Sequence, residues 1–133
     1  MSDQHRPPMT IDDPIELGDV IDYQDFRSAA RALLDRRRDA VAAFQTQAQT
    51  TADAEADYQR TKARRFVALK SNVTVTEAEV RLKGDEEVAV AMIERDVQRE
   101  ALRARRADIE GVDEALATLR RLADWSQAER GAA

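Results

Sequence analysis

Carboxylates and basic side chains are the reactive groups this chain has in quantity, with 26 acidic and 21 basic residues among 133. The single histidine, His5, stands in a polar segment beside Pro7 and Pro8, and there is no cysteine. Composition therefore rules out a disulfide framework and a thiolate metal site. No glutamate precedes the histidine by three residues, and no two carboxylates form a persuasive acid–base pair. Zinc chemistry and triad chemistry are left without residues to rest on. The sequence reads as that of a protein that is not an enzyme and holds no cofactor.

What remains is the placement of charge. The net charge of −5 argues against a protein that coats nucleic acid indiscriminately. Acidic residues crowd the first 22 positions, the Asp53–Asp57 stretch and the segment around Asp85. Basic residues gather in three runs: Arg36-Arg37-Arg38, Lys62-Ala-Arg-Arg65 with Lys70, and Arg99, Arg103, Arg105 and Arg106. If two helices run antiparallel about a connector near residues 71–85, the second and third runs approach one another. They would then make one basic zone, interleaved with Tyr58 and Phe66. Lys62, Arg64, Arg65, Lys70, Arg99 and Arg103 are accordingly the candidate nucleic-acid-binding residues. A plainer reading stands beside it. Long helices carry many arginines that serve solvation and i,i+4 pairing, as Arg95 and Arg99 do beside Asp96 and Glu100. On that reading Tyr58 and Phe66 are seam residues. The Arg36–Arg38 run lies far from the connector and could receive a neighbouring subunit's acidic leader.

The elements that must position these groups are helical. Charged residues make up 35% of the chain and aromatics 5%, too few large side chains for a thick core. No glycine or proline occurs between Gly18 and Gly84, so nothing interrupts a helix over about 24–70, some 70 Å long at about 1.5 Å per residue. Phe26, Ala30, Leu33, Ala40, Phe44, Ala48 and Tyr58 keep a three-to-four spacing along it. Between Gln45 and Ala56 the seam positions are small or polar. There the partner backbone must come close, or the seam must be wet.

Ser71 to Thr76 breaks helical propensity, and Thr76-Glu-Ala-Glu79 has the capping-box pattern that opens a short helix ending at Gly84. Asp85 can cap a second long helix over 86–127, with Glu86 and Glu87 favourably placed at its N-terminal dipole. The fold expected is all-α: a long antiparallel helical hairpin over 23–127 with a short helix in the 71–85 connector, coiled-coil-like and oligomeric. Residues 1–22 form an acidic, mostly irregular leader, and 128–133 should fray. Its Ile11, Ile15, Leu17, Val20 and Ile21 make the leader able to dock on a partner or on the body of the protein.

The second long helix carries two apolar stripes. One runs Val88, Met92, Leu102, Ile109, Leu116 and Ala123; the other runs Val90, Ile93, Val97, Ala101 and Ala104, then Val112, Leu119 and Leu122. A lone hairpin covers one stripe and leaves the other wet, which is the physical reason to expect association of copies. Gly111 would permit a kink or a close crossing, and Trp125 a packing anchor. No segment approaches the roughly 20 apolar residues of a membrane span, and residues 1–8 have no signal-peptide core. A cytoplasmic protein is expected, within a bacterial host if it is phage-encoded.

The stretch Tyr58-Gln-Arg-Thr-Lys-Ala-Arg-Arg-Phe-Val-Ala-Leu-Lys70 resembles the central segment of phage recombination mediators of the UvsY type. In those small helical proteins a Val-Ala-Leu-Lys run, here Val67-Ala68-Leu69-Lys70, closes a basic helical segment. The order of parts is also similar: long helix, basic run, polar connector with an acidic Thr-Glu region, second long helix. The resemblance covers about half the chain. It implies a ring-like homo-oligomer that binds single-stranded DNA, helps load a RecA-like recombinase and displaces a single-strand-binding protein. It also implies DNA contact by Lys70. Where the family has an arginine two residues later, this chain has Asn72, and Arg64 or Arg65 would supply the charge from the previous turn. The alternative function is a structural or adaptor coiled-coil protein, such as a phage assembly or scaffolding component, with no DNA role. A third is a regulator that inhibits a host factor.

Overall fold

The computed structural model describes residues 23–131, so the leader and its predicted docking lie outside the described residues. Three helices account for 94% of the fold: α1 (Tyr23–Lys70), α2 (Val75–Lys83) and α3 (Glu86–Gly131). The long helix α1 packs against the long helix α3, and α2 occupies the connector, giving the expected helical hairpin. α1 is continuous through its polar middle. α3 runs on past position 127 to Gly131, because no helix breaker stands between Trp125 and that glycine; only 132 and 133 of the expected frayed tail lie outside the described residues. None of the helices is long and apolar enough to cross a membrane, among the described residues.

The chain divides into two compact units. The first comprises residues 23–41 and 107–131. Its core is Ala29, Leu33, Val112 and Leu119, flanked by Phe26, Ala30, Ala115, Leu116 and Leu122. Arg37 donates from Nε to Asp113 Oδ1 at 2.7 Å. That hydrogen bond, and then the carboxylate's charge, raise the guanidinium pKa above its ordinary value. Leu119 is the fully buried large side chain at 1% exposure, whereas Trp125 is 43% exposed and anchors less than expected. A Cβ built on Gly111 meets nothing within 4 Å, so the close crossing anticipated there does not occur. The glycine therefore only weakens the helix. Gly111→Ala should raise the unfolding free energy by about 1 kcal/mol, read from the urea midpoint at unchanged m-value.

The second unit is Ala42–Arg106. Its buried apolar residues are Ala54, Ala78, Leu82 and Val88, three of which sit around the short α2. The polar middle of α1 is accommodated by close approach. The Thr51 hydroxyl lies 3.0 Å from the Gln98 carbonyl oxygen, and Gln47 Nε2 donates to Gln98 Oε1 at 2.6 Å. Small side chains at Ala54 and Thr51 let the backbones come near enough for these bonds. The cap of α2 is Thr74, not Thr76: its hydroxyl accepts the Glu77 N–H at 3.3 Å. Ala78 and Leu82, one turn apart, lie together on the inner face of α2. On α3 only the first part of the second stripe stays wet, Val90, Ile93 and Val97 at 62%, 60% and 54% exposure; its continuation, Val112 and Leu119, is buried in the first unit's core instead.

Candidate nucleic-acid interface

The six predicted binding residues all belong to the second unit, and the hairpin register separates them. Arg99 Nη2 meets Glu55 Oε2 at 2.9 Å, seven residues before Lys62. Arg103 pairs with Glu100 on its own helix. Along α1, Arg64 is ion-paired with Glu87, and Arg65 Nη2 lies 2.8 Å from Asp85 Oδ2. Glu55 and Lys62 are about 10 Å apart along the helix axis. The single basic zone expected from the two runs is therefore not formed; each run is answered by carboxylates at its own level. Four of the six, Arg64, Arg65, Arg99 and Arg103, are committed to ion pairs.

The lysines differ. Lys62 Nζ lies 5.9 Å from the Tyr58 ring centroid, and neither Lys62 nor Lys70 has a carboxylate partner among the described residues. Asn72 sits in the turn closing α1 and donates its N–H to the Leu69 carbonyl at 3.4 Å.

Around Lys62 the three helices enclose an open groove of about 700 Å³. Tyr58, Lys62 and Phe66 line it from α1, Val80 and Lys83 from α2, and Val88 and Met92 from α3. Glu79 is the one carboxylate on its wall. The mouth is partly apolar, with Val80 65% and Met92 39% exposed. Lys83, like Lys62, is without a carboxylate partner among the described residues. Sequence reasoning passed over Lys83 because it stands alone, outside any basic run. The signal available was its position in the last turn of a helix that had to fold back against the hairpin.

Arg95 also lies over the Tyr58 ring, its guanidinium carbon 4.3 Å from the ring centroid. Arg95 is only 15% exposed and also reaches Asp96 at 3.0 Å and Glu55 at 3.8 Å. Burial works against its charge, but Asp96, Glu55 and Tyr58 outweigh it and leave the pKa above the ordinary arginine value. The arginine fixes the tyrosine and the acidic Glu55 in one cluster.

A groove of this make-up can hold a flat or apolar group against Tyr58 and Phe66 while Lys62 and Lys83 meet a negative charge at its edge. No group of three or more histidine, cysteine or acidic residues is placed to hold a metal, among the described residues. No known protein family, curated protein or solved structure matches the chain.

Proposed function

We propose that this protein binds single-stranded DNA as a homo-oligomer and acts as a recombination mediator of the phage type, assisting a RecA-like recombinase against a single-strand-binding protein. The observation that carries the reading is the groove of Tyr58, Phe66, Lys62 and Lys83, where aromatic side chains and uncommitted cations occur together. Single strands expose bases that stack on aromatic rings while lysines track the phosphates; duplex bases are not available to do so. One such groove makes few phosphate contacts. Several copies on one strand make the later contacts effectively intramolecular, which gives oligomerisation a purpose. The wet Val90–Ile93–Val97 stripe supports association of copies through α3.

The adaptor reading has its own support in the four arginines already neutralised by carboxylates. The two are separated by fluorescence anisotropy of a labelled single-stranded oligonucleotide, repeated with duplex. Binding that prefers the single strand and weakens at least about 20-fold between about 50 and about 200 mM salt is expected, the value for the three lysine–phosphate contacts of a single subunit. The variant Lys62→Ala/Lys70→Ala/Lys83→Ala should lose at least about tenfold in affinity at unchanged helicity, whereas Arg99→Ala/Arg103→Ala should stay within about threefold. Folded protein that binds no oligonucleotide at low salt overturns the proposal and leaves the adaptor function.

A further inference from the structure

We propose that the acidic leader of the same chain covers the arginine-rimmed hollow on the first turns of α1. The hollow, about 340 Å³, is lined by Tyr23, Phe26, Arg27, Ala30, Arg31 and Leu34. Tyr23 is 67% exposed and Leu34 56% exposed, a costly display for two large apolar residues three turns apart. A second hollow of about 550 Å³ adjoins it and shares Arg27 and Arg31. Neither arginine has a carboxylate partner among the described residues, and Asp35, which lines both hollows, is already met by Arg38 at 3.7 Å. The surface therefore asks for a segment that is both apolar and acidic.

Residues 11–22 have that composition. Ile11, Ile15, Leu17, Val20 and Ile21 alternate with Asp12, Asp13, Glu16, Asp19 and Asp22. Reach is sufficient. The face from Tyr23 to Leu34 extends about 16 Å along the axis, and the residues from Ile15 to Asp22 can span up to about 26 Å when extended. A neighbouring copy carries the same leader. The tethered one, joined at Tyr23 beside the hollow, acts at millimolar effective concentration and is favoured for that reason. This inference does not depend on the nucleic-acid reading.

The test is amide hydrogen exchange of the leader in the full-length protein. Amides of residues 11–22 should exchange at least about tenfold more slowly than in the isolated leader peptide. Arg27→Glu/Arg31→Glu should abolish that protection at unchanged helicity, and adding Glu16→Lys/Asp19→Lys to the same chain should restore it. Refolding the arginine variant together with a Glu16→Lys/Asp19→Lys chain, which keeps the intact face, should leave the arginine variant's leader unprotected. Free-peptide exchange in the unaltered protein overturns the proposal, as does protection that survives the arginine change. Protection regained in the mixture also overturns it, because the occupant is then a second copy.

Discussion

Leu119→Ala is expected to lower the unfolding free energy by about 3 kcal/mol, the largest effect of any single substitution considered for this chain. Leu119 is 1% exposed and packs with Ala29, Leu33 and Val112. Two of those neighbours are small, and a core made by one helix against another has no further layer to collapse into the gap. The cavity should persist, which keeps the cost above the roughly 2 kcal/mol floor for buried leucines. Because the first unit has its own core, amides of residues 23–41 and 107–131 should lose hydrogen-exchange protection before those of the second unit. Val67→Ala gives the contrast. Val67 is 69% exposed, and its loss should fall within about 0.5 kcal/mol. Urea unfolding of both variants decides the matter. A loss below about 1 kcal/mol at Leu119 would mean that the first unit contributes little to the measured transition.

The helices themselves are legible in the sequence because their causes are local. A chain without glycine or proline from 19 to 83 and with three-to-four spacing of apolar residues has few alternatives to α1. Local causes also explain the one misplaced cap. Thr74-x-x-Glu77 and Thr76-x-x-Glu79 are overlapping, equally good signatures, and only the folded backbone, with the Ala78 N–H bonded to the Thr74 carbonyl at 2.9 Å, distinguishes the first. Only the first half of the second α3 stripe was legible as surplus: Val90, Ile93 and Val97 stay exposed, whereas Val112 and Leu119, which continue it, form part of the first unit's core. The state of the charges was not legible. Whether Arg64 is free depends on Glu87 standing opposite it, and whether Arg99 is free depends on Glu55, both of which follow from register across the hairpin. Arg95 shows the same limit. By spacing it belongs to a solvated i,i+4 series, yet it is the arginine most withdrawn from water among those paired here, laid over Tyr58. A basic run in sequence counts cations; the fold decides how many are left to bind anything.

Asp85→Ala is the second large expected effect, a fall in Tm of about 5 °C or more, because one carboxylate does two jobs at the hairpin's tight end. Its Oδ1 accepts the Val88 N–H at 3.1 Å and so caps α3, while Oδ2 accepts from Arg65 Nε at 2.9 Å. The hydrogen bond from Arg65 holds the carboxyl pKa below its ordinary value; partial burial opposes this, and the Val88 N–H and the arginine's charge reinforce it. The same contact raises the Arg65 pKa, so both partners are locked in their charged forms at neutral pH. The sign of the pH dependence follows. A carboxyl depressed in the folded state contributes stability that is fully present above its unfolded pKa, about 3.9, and is lost as pH falls through the folded value. Asp85→Asn keeps a side-chain oxygen for the cap but cannot ionise. Its Tm should lie below that of the unaltered protein at pH 7 by less than the Asp85→Ala deficit. The gap should hold constant down to about pH 4 and narrow as the pH falls further, through the depressed pKa of the folded carboxyl. Circular-dichroism melts of the three proteins across that range test each part. A gap that does not narrow at all below about pH 4 would show that Asp85 does not act through its charge. Equal deficits for the alanine and asparagine variants at pH 7 would place the whole effect in the ion pair with Arg65 and none in the cap.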